Sequence, residues 1–85
     1  MTATEYAQKC LDTEGFLVIG GSKKHSVGDV IEDRVQYRNE FRHDFRLVVV
    51  GLATHEDSVA QVRRISGGLQ EQRWKALYYY KVTAE

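Results

Sequence analysis

Arg34–Val50 reads RVQYRNEFRHDFRLVVV, and it alternates between two kinds of side chain. Val35, Tyr37, Phe41, Phe45, Leu47 and Val49 take odd positions, while Arg34, Gln36, Arg38, Glu40, Arg42, Asp44 and Arg46 take even ones. Period two is the signature of a β-strand with one buried and one wet face. The run exceeds the length of an ordinary strand. Asn39 and His43 also interrupt its apolar side. A hairpin turn or a bulge is therefore expected between Asn39 and Asp44, near Arg42–Asp44. After Arg46 the alternation stops. Leu47–Val50 are apolar on both faces, as in a central strand covered in part on both sides.

Downstream, Gly51 reads as the exit from that strand. Thr54 with Asp57 has the spacing of a capping box. Val59, Val62, Ile65 and Leu69 follow at helical spacing, with Gln61, Arg63 and Arg64 assigned to water. This predicts a helix over about 55–66, stopped by Gly67–Gly68. A strand, a glycine and a helix N-terminus are also parts of a phosphate-binding turn. Here there is one glycine and no Gly-Lys-Ser/Thr sequence, and Glu56 and Asp57 put negative charge where a phosphate would sit. A capped helix is the better reading. Leu47, Val49, Val59, Val62 and Ile65 are expected to meet in the core.

A last strand follows. Trp74, Ala76, Tyr78, Tyr80 and Val82 alternate with Arg73, Lys75, Tyr79 and Lys81, the first set expected inward and Tyr79 exposed between lysines.

Upstream of the opening stretch, Thr2 and Glu5 form another capping box. They start a short helix over 3–13 whose apolar stripe carries Ala3, Ala7, Cys10 and Leu11. Gly15 ends it, and Phe16–Ile19 read as a buried strand. The polar loop SKKHS leads through Gly28–Asp29 into VGDVIED, where extended structure resumes. The expected architecture is α+β in one domain, 1–85. It is a small curved, mainly antiparallel sheet or open barrel of four to five strands, with the 55–66 helix packed on it and a short N-terminal helix.

Composition narrows function. The chain has 85 residues with 12 basic and 12 acidic side chains, a formal net charge of +0. It has no global cationic excess to neutralise phosphates, and near-zero charge gives little protection against self-association. One cysteine makes neither an intrachain disulfide nor a cysteine-based zinc site. His25, His43 and His55 are spread over three segments without metal-ligand spacing, and no nucleophile elbow or fixed acid–base pair is present. No cofactor or metal is expected, catalysis is disfavoured, and the apolar runs are too short to span a bilayer. A cytoplasmic location is the default expectation.

The best candidates for partner binding are cations beside aromatics. These are Tyr79, Lys75 and Lys81 on the last strand, Arg63 and Arg64 on the helix, and Lys23 and Lys24 in the polar loop. The leading expectation is a non-enzymatic interaction module that binds a protein or a second copy of itself. The alternative is nucleic-acid binding through the basic and aromatic C-terminal strand and helix face.

Overall fold

The computed structural model describes residues 2–37, 40–67 and 75–85, and gives the backbone alone for 32–37 and 40–45. In chain order the elements are α1 (Ala3–Glu14), β1 (Leu17–Gly21), β2 (Val30–Tyr37), β3 (Glu40–Ala53), α2 (His55–Ser66) and β4 (Tyr78–Ala84). The strands form one sheet in the order β1-β4-β3-β2, with every neighbouring pair antiparallel. Among the described residues the sheet does not close, and β1 and β2 are its edges.

Both helices begin where side chains satisfy the free N–H groups of a first turn. Glu5 N–H donates to Thr2 Oγ1 and Thr2 N–H to Glu5 Oε1, each at 3.1 Å. At α2, Asp57 N–H donates to Thr54 Oγ1 at 3.2 Å and Thr54 N–H to Asp57 Oδ2 at 2.9 Å. Each such cap contributes about 1 kcal/mol. Gly15 and Gly67 stop the helices at φ 81° and 71°, in the left-handed region.

Register explains the core. Ile31 faces Leu47, Val49 faces Val82, Val82 faces Leu17, and Ile19 faces Tyr80. Cross-strand partners share a face, so these side chains form one apolar surface. The helices cover it: Ala3, Tyr6, Ala7 and Cys10 of α1 and Val62 and Ile65 of α2 join the same buried cluster. Each such large aliphatic side chain stabilises the fold by roughly 1.5–3 kcal/mol. Val59, expected in this core, is half-buried. Leu69, Arg73 and Trp74 lie outside the described residues.

Two irregularities in β3 revise the reading of the opening stretch. Asp33 faces Phe45 and Val35 faces Arg42, so two steps on β2 match three on β3. The extra residue falls at 43–44. The break expected near Arg42–Asp44 is therefore a bulge rather than a turn. Tyr37 faces Glu40, and Asn39 lies outside the described residues. Broken alternation alone cannot separate the two, because a bulge inserts one residue without ending the ladder. The second irregularity is at Val50: Val49 faces Val82, but Gly51 faces Lys81. Gly51 is consequently inside β3 rather than at its exit, and pairing continues through Ala53. This bulge moves Leu52 onto the face of Val49, opposite Tyr80.

Gln61, which lies off the apolar spacing of the helix and is expected in water, is fully buried. Its Oε1 accepts from Val18 N–H at 2.8 Å, and its Nε2 donates to Phe16 C=O at 2.9 Å. α2 packs mainly against β1 and α1, so this residue meets the sheet edge rather than solvent. Tyr78 departs from expectation in the other direction. It shares a face with Tyr80 but is 39% exposed, because it pairs with Gly21 at the end of β1 and leaves the core cluster behind. Among the described residues, no helix is long and apolar enough to cross a membrane.

Candidate functional site

Where β3 runs out, α2 begins and the chain re-enters the sheet as β4, an open cleft of about 380 Å³ remains. One wall is the β1–β2 loop, with Lys24 and His25. Another is the end of β3 and the start of α2, with Leu52 and His55. The third is the approach to β4, with Leu77 and Tyr79.

Backbone geometry sets each wall. The Val50 bulge turns Leu52 to a face that the helices do not cover here, and Leu52 is 72% exposed. Leu77, one residue before β4, is 79% exposed. Two large aliphatic side chains this open to water on the rim of one cleft form a surface that favours burial against something else.

The tyrosines hold the walls. Tyr80 is buried, and its hydroxyl reaches into the loop. It donates to Lys23 C=O at 3.0 Å and accepts from His25 N–H at 2.7 Å. The His25 ring lies edge-on to the Tyr80 ring, with centroids 5.4 Å apart. The loop is closed behind by Gly28 N–H to Val49 C=O and Val49 N–H to Asp29 C=O. Gly28, at φ 98°, makes the turn that this pairing needs.

Tyr79 does the same on the opposite wall. Its hydroxyl accepts from Ala76 N–H and meets His55 Nδ1, both at 2.9 Å. The ring of Tyr79 lies over Gly20, where an added Cβ would come within 2.8 Å of both Tyr79 Cε1 and Ala76 Cβ. The glycine makes room for that aromatic wall.

Of the residues singled out in the sequence, Tyr79 and Lys24 line this cleft. Tyr79 is half-buried and held by hydrogen bonds, not projecting between lysines. Lys23 is exposed in the same loop, and Lys75 is exposed just before Ala76. Lys81 sits with Nζ 5.2 Å from the centre of the Phe16 ring, a cation–π contact. Arg63 is exposed on α2. Arg64 instead bridges the helices: its Nε and Nη2 donate to the two carboxylate oxygens of Glu14 at 2.6 and 2.9 Å. That guanidinium, with Gln61 Nε2 as a further donor, holds the Glu14 carboxyl below the usual carboxylate range. The structure thus scatters the basic set over three regions.

Sequence reading singled out His25 beside Lys23 and Lys24 in the polar loop, and passed over His55, Leu52 and Leu77 as site residues. Their signal exists only in the bulge and in the sheet order, which place them at one end of the molecule. Among the described residues, no group of histidine, cysteine and carboxylate side chains could hold a metal ion.

Known proteins include sequences similar to this chain, among them a DNA ligase. A DNA ligase of Corynebacterium aurimucosum is 29% identical over 79 residues, which is 93% of this chain and 12% of the ligase. The chain spans about an eighth of the length of that curated relative. No family model matches the chain, and no solved structure matches it.

Proposed function

We propose that this chain is a small cytoplasmic, non-enzymatic interaction domain that binds a protein partner through the cleft between the β1–β2 loop, the start of α2 and the start of β4. One observation carries the reading: Leu52 and Leu77 stand 72% and 79% exposed on the rim of a cleft whose polar walls are already tied together by Tyr79 and Tyr80. A preformed apolar cleft with a few placed polar groups is what a recognition site requires. Near-zero net charge allows the partner to be a second copy, so a homodimer is one form of the same proposal.

The alternative, nucleic-acid binding, draws on the similarity to a DNA ligase and on the cations Lys75, Lys81, Arg63 and Arg64. It has less support, since Arg64 is engaged by Glu14 and Lys81 by Phe16. A strand-tracking groove uses a series of free cations beside stacking platforms.

The test places a photo-crosslinking amino acid at residue 77, with residue 8 on exposed α1 as the control. A protein adduct at 77 and none at 8 is the expected result, and its mass tells a second 9.8 kDa copy from another protein. A nucleic-acid adduct, or equal yields at both positions, overturns the proposal.

A further inference from the structure

The charge around the cleft says more about its occupant. The chain as a whole balances 12 acids against 12 bases. Around the cleft, among the described residues, that balance is lost: Lys24 contributes a full positive charge, His25 and His55 contribute imidazoles, and no aspartate or glutamate lines it. Asp29 lies 4.0 Å from His25 but outside the lining, and Glu56 and Asp57 belong to the next residues of α2. The hydroxyls of Tyr79 and Tyr80 are occupied within the fold, while the Lys24 ammonium, the outer imidazole nitrogens and the Tyr78 hydroxyl are polar groups of the lining that can meet a ligand.

We propose that the cleft recognises an acidic, apolar peptide segment of a partner protein: an aliphatic or aromatic side chain seated against Leu52, Leu77 and Tyr78, with a neighbouring Asp or Glu carboxylate facing Lys24. The inference rests on the protein-binding reading above and adds its chemistry. The apolar anchor supplies affinity by burying the two leucines. The carboxylate supplies selectivity, because Lys24 is a rim charge on a lining that carries no aspartate or glutamate among the described residues. A single-stranded nucleic acid fits this wall less well. One lysine is a short track for a phosphate backbone, and exposed leucines are not stacking platforms.

Selection from a phage-displayed library of random dodecapeptides on the immobilised full chain tests this. Enriched peptides are expected to pair Leu, Ile, Phe or Trp with an adjacent Asp or Glu. Replacing that acid by its amide in the synthetic peptide should weaken binding by about tenfold, and Lys24→Glu should do the same to the protein. Lys24 is exposed in a loop, so its variant is expected to fold, and an unchanged thermal transition checks that. Enriched peptides that are apolar but carry no excess acid, or that bind Lys24→Glu as well as the parent, overturn the acidic preference and leave the cleft reading standing. Failure to enrich any peptide that Leu77→Ser loses, or tighter binding of an oligothymidylate than of the selected peptides, overturns both.

Discussion

The side-chain amide of Gln61 occupies the place of a neighbouring strand beside Val18. Strand β1 is a sheet edge, and its outward N–H and C=O groups would otherwise be open to another chain. Gln61 Oε1 takes the Val18 N–H and its Nε2 serves the Phe16 carbonyl, the two bonds a peptide group would make. It also donates to Glu14 Oε1 at 3.1 Å, which ties the edge to the ion pair between the helices. Leucine at this position would fill the space and leave the Val18 amide unpaired in a buried site. Gln61→Leu should therefore destabilise by about 2–4 kcal/mol, since each unsatisfied buried group costs about 1–3 kcal/mol. Gln61→Glu keeps the acceptor, loses the donor and sets a second carboxylate beside Glu14, so it should cost at least as much at neutral pH. Urea unfolding midpoints of the two variants give the comparison.

Acid should loosen the same corner. The folded-state value of the Glu14 carboxyl lies below the ordinary 4.5, chiefly through its hydrogen bonds from Arg64. A carboxyl depressed on folding contributes its stabilisation in full above its ordinary value and loses it as pH falls through the folded one. Glu5, lowered mainly by the Thr2 backbone N–H, acts in the same window. Thermal stability should hold from neutrality to about pH 5 and decline below 4.5. Glu14→Gln should flatten part of that decline and, with Arg64 half in water, lower stability at neutral pH by about 1 kcal/mol or less. A decline of unchanged steepness in Glu14→Gln would show that the pair does not carry it.

Gly20 controls the aromatic wall of the cleft. An alanine Cβ would meet both Tyr79 and Ala76 at 2.8 Å, and the Tyr79 ring is held at its far end by Ala76 N–H and His55. Gly20→Ala should cost about 1–3 kcal/mol as an overpacked site. It should also shift the His55 ring resonances in a heteronuclear spectrum. Unmoved His55 signals would mean that the ring of Tyr79 yields without leaving its partner.

Cys10 should be silent in the native state. It is fully buried on α1, and burial pushes its thiol up to about 11. The thiolate is the reactive form, so both access and ionisation oppose modification. At pH 8 an aromatic disulfide reagent should label Cys10 only as fast as the protein opens, and Gln61→Leu should accelerate that labelling in proportion to its loss of stability. Immediate labelling of the folded parent would contradict the packing of α1.

The local sequence specified its own elements because the interactions that define them span only a few residues. Thr2 with Glu5 and Thr54 with Asp57 cap helices within one turn, Gly15 and Gly67 end them through their own backbone freedom, and alternation from Arg34 onward reports a pleat. The core residues Leu47, Val49, Val62 and Ile65 were legible for the same reason. The tertiary structure decided what depends on neighbours far along the chain. Only the packing of α2 beside β1 shows that Gln61, a polar side chain, is buried. Only the register of β3 with β4 shows that Val50 bulges and Leu52 changes face. Only the order β1-β4-β3-β2 brings the loop at His25, the cap at His55 and the approach to Tyr79 to one end of the sheet. Periodicity records which face a residue takes relative to its own element; whether that face meets water or another element is settled by long-range pairing, and the cleft was written at that level.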